Sequence, residues 1–280
     1  MHVEGVFGSC PIPFNAAKPA TVPTECSPNS CPNPGLWGLN EVRAPAVWAA
    51  LPGQVNANPS ASVMVIDSGI RTTHRDLAPN LVPNLVVTAI GADGNAITPV
   101  RVPLTSPPAN VNAMLHGTHV ASILYGRWNN GGTDSPAGVV GNALGGSCGC
   151  AINNGLDAEF FCYVQCLQYA VTSRVRVINL SWGFSFRVDN PPAYINPMRD
   201  AISAFCTNGG IVTIAPNNGD KRPGGNRQVG VNIILPGWRD YPAAFAAELA
   251  GGCCWPVTSA VSCVHVFQAA GNCFHCMHAC

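Results

Sequence analysis

Two short blocks of the sequence place an acid and a base where they can activate a nucleophile. Asp67 follows the apolar run Val63–Ile66 and precedes Ser-Gly, and His116 opens the block His-Gly-Thr-His-Val-Ala. An imidazole can take the proton of a serine hydroxyl at neutral pH, and a carboxylate can hold the imidazole in the required tautomer. We therefore predict that Asp67 orients His116 as a general base. Taken alone, Asp-Ser-Gly also fits a solvated turn, and His116 with His119 fits a structural or metal-binding pair.

A third block, Ala215-Pro-Asn217-Asn-Gly219, offers an amide that can stabilise a developing oxyanion. Such a donor contributes on the order of 3 kcal/mol of transition-state stabilisation in acyl-transfer enzymes. The plainer interpretation is an Asn-Asn-Gly turn, because these residue types favour turns on their own. No equally clear nucleophile block follows before the end of the sequence.

The elements that must position these side chains alternate between strand-like and helix-like segments. Short β-branched runs predict buried strands, and longer amphipathic runs predict helices. The predicted strands are 62–66, 176–180 and 211–215, and the predicted helices are 116–125, 158–171 and 197–207. This alternation indicates an α/β fold, a three-layer sandwich around a mostly parallel sheet. Ligands bind beyond the carboxyl ends of such strands, where Asp67, Ser181 and Asn217 fall.

Composition excludes some functions and favours one compartment. Only 10% of the 280 residues are charged and the net charge is zero, so we expect neither a nucleic-acid nor a membrane partner. No unbroken run of about 18 apolar residues predicts a membrane span. Fourteen cysteines favour secretion or another oxidising compartment, although the N-terminal residues do not read as a signal peptide. Disulfides are predicted to staple the loops in the Pro-, Gly- and Asn-rich stretches that hold Cys10, Cys26, Cys31, Cys148 and Cys150, with their connectivity open.

Changes in composition divide the chain into three predicted regions. Residues 1–35 contain seven prolines and predict an irregular, cysteine-containing arm. Residues 36–248 form the predicted catalytic domain. Residues 249–280 hold six cysteines and three histidines but no Asp, Glu, Lys or Arg, which predicts a separate tail. Its Cys273–Cys280 stretch has one Cys-x2-Cys pair, which fits zinc if reduced and otherwise disulfides or an unstructured end.

The order of these motifs resembles that of the subtilisin-like serine proteases, the subtilase family. The resemblance covers roughly residues 37–245 and rests on several blocks in family order: Trp37-Gly-Leu, Val63-Met-Val-Ile-Asp-Ser-Gly-Ile70, His74-Arg-Asp-Leu, His116-Gly-Thr-His-Val-Ala-Ser-Ile123, Val177-Ile-Asn-Leu-Ser-Trp-Gly183, Ala215-Pro-Asn-Asn-Gly219 and Tyr241-Pro-Ala. It implies a subtilisin-like fold, an extended polypeptide substrate and no required cofactor. Calcium binds members of the family, but no ligands for it are identifiable here, and no metal site is assigned. The oligomeric state is left open.

By resemblance, Asp67 orients His116, His116 is the general base and later the general acid, and His119 is structural. Ser181, Trp182 and Gly183 would pair with the substrate, and Asn217 would bind the oxyanion. Pro216 stands where the family has glycine, and Arg75 where it usually has proline.

The family takes its nucleophile from a Gly-Thr-Ser-x-Ala block that opens a buried helix. The nearest match is Val257-Thr-Ser259-Ala, in which valine replaces glycine. Two hypotheses follow. The chain is a serine endopeptidase that uses Asp67, His116 and Ser259, or it is an inactive or truncated homologue that acts as a peptide-binding or regulatory module. Because the nucleophile block is not clear, we expect the C-terminal part of the subtilisin-like fold to be incomplete.

Overall fold

The structure, a computed structural model, describes part of the chain. The described residues are 39–40, 42–50, 62–91, 93–105, 114–128, 138–141, 143–150, 156–173, 175–191, 193, 195–215, 234–235, 238–245, 254–255 and 265–267.

Four α-helices and eleven strands lie in the described residues. The helices are α1 (Ala44–Ala50), α2 (Leu115–Tyr125), α3 (Leu156–Thr172) and α4 (Ile195–Thr207). The strands are β1 (Val63–Asp67), β2 (Leu81–Ile90), β3 (Ala96–Arg101), β4 (Gly145–Gly149), β5 (Val177–Leu180), β6 (Phe184–Arg187), β7 (Ile211–Ile214), β8 (Ile234–Leu235), β9 (Trp238–Tyr241), β10 (Cys254–Trp255) and β11 (His265–Phe267). A 3-10 turn, Ala78–Asn80, precedes β2.

Eight strands form one mixed sheet in the order β10-β11-β7-β5-β1-β4-β2-β3. Its five inner strands, from β7 to β2, pair in parallel, whereas β3, β11 and β10 pair antiparallel at the two sides. A second sheet of three strands runs β6-β9-β8. Strand β1 lies between β4 and β5, so the chain crosses from one side of β1 to the other after β4. Its carboxyl end is therefore at a switch point, where α/β sheets bind ligands.

Helices cover both faces of the large sheet. Successive side chains of β1 pack against different helices. Met64 and Ile66 lie in a buried cluster with residues of α3 and α4, whereas Val65 lies in a second cluster with Ala121 and Tyr125 of α2. Successive strand residues point to opposite faces, so β1 is covered on both sides. Each fully buried large side chain here contributes about 2 kcal/mol of hydrophobic stabilisation. This arrangement confirms the predicted α/β fold with a mostly parallel sheet.

The predicted strands and helices agree with the observed ones within two residues at each end. On α4 the predicted apolar stripe of Met198, Ile202 and Phe205 is buried. Residues 254–255 and 265–267 pair with β7 through β11, so part of the segment predicted as a separate tail belongs to the main sheet. The division into three regions stays a prediction. The 1–35 arm and the Cys273–Cys280 stretch lie outside the described residues.

Among the described helices, none is both long and apolar enough to cross a bilayer.

Candidate active site

Asp67 is the last residue of β1, and its carboxylate is buried next to the turn that follows. Only 3% of the residue is exposed. A buried carboxylate is costly unless hydrogen bonds replace its water. The backbone N–H of Ser68 donates to Asp67 Oδ1 at 2.7 Å. The strand end thus holds one carboxylate oxygen in a fixed position.

His116 lies in the first turn of α2, and its ring contacts this carboxylate. The Nδ1 atom is 2.8 Å from Asp67 Oδ1 and 3.0 Å from Oδ2. Because an ionised carboxylate only accepts hydrogen bonds, Nδ1 carries the proton in this pair. The His116 side chain is 61% exposed, in contrast to its buried partner. The arrangement leaves Nε2 as the ring nitrogen for proton transfer to a group in solvent.

The start of α2 is held to the turn after β1 by hydrogen bonds from backbone N–H groups to side-chain hydroxyls. The Gly117 N–H donates to Ser68 Oγ at 3.0 Å, and the Arg71 N–H donates to Thr118 Oγ1 at 2.9 Å. A Cβ on Gly117 would collide with the carbonyl oxygen of Gly69 and lie 3.2 Å from Asp67 Cβ. Gly69 has φ of 89°, a conformation that favours glycine. These two glycines therefore allow helix and strand to meet closely enough for the Asp67–His116 contact.

The segment Ser181–Gly183 follows β5 and lies beside the end of β1. Its first residue, Ser181, accepts a hydrogen bond from Asn179 Nδ2 at 2.8 Å. The indole N–H of Trp182 donates to the carbonyl oxygen of Ile66 at 2.8 Å. Gly183 is exposed. The structure thus brings the predicted substrate-binding segment to the residue that precedes Asp67.

Trp182 also packs against α3, a contact that the sequence patterns did not reveal. Its ring stacks on Tyr163 with a centroid distance of 3.8 Å and an interplanar angle of 20°. The Tyr163 hydroxyl donates to Glu159 Oε1 at 3.2 Å. Burial raises the pKa of Tyr163, and the negative charges of Glu159 and Asp67 raise it further, so this phenol stays neutral. Burial also raises the pKa of Glu159. Aromatic residues at 163 and 182 were the only sequence signal for this contact.

Other predicted site residues are placed differently or are not described. Asn217 and Ser259 lie outside the described residues. His119 is exposed on α2, one turn after His116. Within the described part of the chain, one group of three or more metal-type ligands converges, namely Cys150, Cys162 and Cys166. Each of these cysteines is in a disulfide, Cys150 with Cys162 and Cys166 with Cys148. The Asp67–His116 pair is not part of the group.

Comparisons with known proteins agree with this architecture. The sequence model of the Peptidase S8 group, described as the subtilase family, matches residues 59–233. That match includes Asp67, His116, Ser181–Gly183 and Asn217, and it ends before Ser259. No curated protein sequence matches the chain at a significant level.

Several solved structures that are similar to the chain are proteases, at low sequence identity to it. MycP1 from Mycobacterium smegmatis has a TM-score of 0.51 at 18% identity, over 81% of this chain and 58% of that one. The MycP3 protease of a type VII (ESX-3) secretion system gives the same values. A lanthipeptide protease has a TM-score of 0.50 at 17% identity, over 75% of this chain and 52% of that one. The chain thus spans little more than half the length of these proteins, and the similarity at this identity shows the fold.

Proposed function

Because the chain belongs to the subtilase family of serine proteases, we propose that it is a serine endopeptidase in which Asp67 and His116 form the base of an Asp-His-Ser triad. The observation that carries this proposal is the 2.8 Å contact between His116 Nδ1 and a buried carboxylate oxygen, on an imidazole that is otherwise exposed. A solvated turn or a metal-binding pair accounts less well for a histidine held in this way.

His116 acts first as general base and then as general acid. Its Nε2 takes the proton of the attacking hydroxyl and later gives it to the leaving amine, while Asp67 stabilises the imidazolium. The buried position of Asp67 and its bond from Ser68 keep the carboxylate oriented through both steps. The imidazole therefore need not reorient between acylation and deacylation.

The substrate is a polypeptide in an extended conformation. Residues Ser181, Trp182 and Gly183 leave β5 beside Asp67, where an added strand from the substrate can pair with them. The Trp182 bond to Ile66 and its stacking on Tyr163 support this assignment, because they fix the segment relative to the catalytic acid. A polypeptide held in this way would present its backbone carbonyl to the nucleophile.

Asn217 and Ser259 complete the proposed chemistry. Ser259 Oγ forms the bond to the substrate carbonyl carbon as its proton passes to His116, and Asn217 donates to the oxyanion. Collapse of the tetrahedral intermediate breaks the peptide bond and leaves an acyl group on Ser259, which water then hydrolyses. No cofactor takes part. The enzyme is proposed to work in a secreted or other oxidising location, which two buried disulfides support.

A second function, peptide binding without turnover, is favoured by the residues around Ser259. The family nucleophile opens a helix, but β11 begins at His265, six residues after Ser259, and it is paired to β7. A helix starting at Ser259 would have less than two turns before this strand. The family match also ends at residue 233. In this alternative, the Asp67–His116 pair and the 181–183 segment are retained and no acyl-enzyme forms.

A fluorophosphonate probe distinguishes the two functions, because it reacts only with an activated serine. The folded full-length chain is treated with the probe, and the adduct is located by peptide mapping. The proposed enzyme is labelled on Ser259, and the adduct disappears in Ser259→Ala and in His116→Ala. Labelling of no residue would overturn the proposal and favour the peptide-binding function.

Matched variants control for damage to the fold. Ser262→Ala changes another serine of the same segment, and His119→Ala changes another exposed histidine of α2. Both should keep full labelling. An adduct that persists in His116→Ala would show that the probe reads a reactive serine outside the proposed triad.

A further inference from the structure

Four cysteines converge in the core between β4 and α3. Cys148 lies in β4 and Cys150 just after it, two residues apart, so both side chains point to the same face of the sheet. Cys162 and Cys166 lie four residues apart on α3, so both point to the same side of the helix. All four are fully buried. The expectation of stapled loops is wrong for Cys148, which joins strand β4 to helix α3, whereas Cys150 lies one residue after β4 and is also joined to α3. Cys10, Cys26 and Cys31 lie outside the described residues.

Two disulfides close this cluster. Cys148 pairs with Cys166, and Cys150 pairs with Cys162. The two bonds lie side by side, because the Sγ atoms of Cys150 and Cys166 are 3.3 Å apart. Among the described residues, no histidine, aspartate or glutamate adds a metal-type ligand to these sulfur atoms. The cluster is thus a double crosslink between one strand and one helix.

The strand end of this crosslink reaches Asp67 directly. Strand β4 is a parallel neighbour of β1, with Cys148 opposite Ile66 and Gly149 opposite Asp67. The backbone N–H of Cys150 donates to the carbonyl oxygen of Asp67 at 2.6 Å. The backbone of the catalytic acid is therefore hydrogen-bonded to one of the disulfide cysteines.

The helix side of the crosslink contacts the end of β1 through Tyr163 and Trp182. Tyr163 follows Cys162 on α3 and stacks on Trp182, whose indole holds the carbonyl oxygen of Ile66. A shift of α3 relative to β4 would therefore disturb both contacts to the end of β1. Four thiols packed in the same core would resist such a shift less than two covalent bonds.

We propose that Cys148, Cys150, Cys162 and Cys166 form a buried redox site whose oxidation holds the Asp67–His116 pair in its working geometry. Each disulfide forms when two thiols give two electrons and two protons to a disulfide oxidant, which is reduced to two thiols. The same exchange in reverse, with a dithiol as reductant, releases α3 from β4. The site makes the function of the chain dependent on an oxidising environment.

Two double variants with the same number of cysteines test the crosslink. Cys148→Ala/Cys162→Ala leaves Cys150 and Cys166, whose Sγ atoms are 3.3 Å apart and lie on opposite elements, so one strand-to-helix bond can form. Cys148→Ala/Cys150→Ala leaves Cys162 and Cys166, which both lie on α3 and cannot join it to β4. Without reductant, the first variant should melt about 10 °C above the second. In dithiothreitol this difference should disappear.

A second readout follows the catalytic pair without requiring a nucleophile. The Nδ1 proton of His116 gives a low-field NMR signal when it is bound to Asp67. Dithiothreitol should remove this signal from the unmutated protein, and Cys148→Ala/Cys150→Ala, which cannot join α3 to β4, should lack the signal with and without dithiothreitol. Because the signal does not depend on Ser259, failure of this proposal is distinguishable from failure of the proposed protease activity.

Two results would overturn the redox site. In the first, the two double variants have the same melting temperature, and the unmutated protein keeps its low-field His116 signal in dithiothreitol. The other is a reduced, unmutated protein that binds one zinc ion per chain and melts as high as the oxidised form, which would make the cluster a thiolate metal site. Peptide mapping of the unmutated protein without reductant supplies a check that needs no variant: the peptide that holds Cys148 and Cys150 should be linked by two disulfides to the segment that holds Cys162 and Cys166.

Discussion

Asp67 has two separable effects on His116, namely its charge and the tautomer that it imposes. Asp67→Asn keeps the size of the side chain, but its amide can donate a hydrogen bond to Nδ1 and so favours the wrong tautomer. We expect probe labelling or peptide hydrolysis to fall on the order of 10⁴-fold, the loss seen for such acids in related triads. Nitrogen NMR of labelled histidine should show the ring proton moving from Nδ1 to Nε2.

The position of the His116 ring proton can be measured by NMR even if the protein has no catalytic activity. An Nδ1 proton that stays in place in Asp67→Asn would contradict the assigned role of Asp67. His119→Ala is the reference, since it should leave both the His116 signals and the labelling rate unchanged.

Trp182 is predicted to act by positioning the end of β1 rather than by touching the reacting atoms. Trp182→Phe keeps an aromatic ring against Tyr163 but removes the donor to the Ile66 carbonyl oxygen. We expect a loss of about 1 kcal/mol in the free energy of unfolding, measured in urea, and a slower reaction with the probe.

Trp128→Phe is a matched control for this change. Its indole N–H donates to the carbonyl oxygen of Gly138 at 2.6 Å, and its ring packs on Trp48 instead of the site. It should show a comparable loss of stability without slower labelling. Equal effects of both variants on labelling would mean that Trp182 has only a general stabilising role.

The contact between β1 and α2 sets the distance between acid and base at the scale of elements. Gly117→Ala introduces a Cβ that collides with the Gly69 carbonyl oxygen. We expect α2 to move away from the strand end, with a loss of about 1–3 kcal/mol in unfolding free energy and of the low-field His116 proton signal.

Gly209→Ala separates backbone strain from this collision. Gly209 has φ of 80°, and no atom lies within 4 Å of an added Cβ. It should cost about 1 kcal/mol through strain and leave the His116 signal intact. A Gly117→Ala protein that keeps the signal would show that the helix start tolerates displacement.

The elements that hold Asp67 and His116 were largely predictable because their side chains follow regular patterns. Val63–Ile66 is apolar and mostly β-branched, and Met198, Ile202 and Phe205 repeat at helical spacing. Strand β4 was not predicted, because its sequence Gly-Gly-Ser-Cys-Gly has low strand propensity. Its glycines are needed for packing, since a Cβ on Gly146 would collide with Leu85. The cysteine cluster was missed for the same reason, since it depends on which strand lies under α3.

The contacts within the candidate site were predictable only in part. The pairing of Asp67 with His116 followed from chemistry and resemblance, whereas the stacking of Trp182 on Tyr163 joins residues that no local pattern connects. Contacts of this kind depend on the order of strands in the sheet, which short-range periodicity does not specify.

At the scale of the whole molecule, the outer strands protect a parallel core. Strand β7 would be an edge without β11, which pairs His265 with Ile214 and Phe267 with Val212. Val212 and Ile214 are buried, so an uncovered β7 would offer an apolar strand with free backbone groups to another chain.

Two truncated chains test this protection and the predicted division of the chain together. A chain that ends at residue 248 loses β10 and β11, whereas one that ends at residue 270 keeps both and loses only Cys273, Cys276 and Cys280 among the cysteines. The shorter chain should associate in sedimentation velocity and melt several degrees below the full-length protein, because β7 becomes an edge. The longer chain should match the full-length protein in both measurements. A shorter chain that stays monomeric with unchanged melting would instead mean that residues 249–280 form a separate tail, and that the parallel core is complete without them.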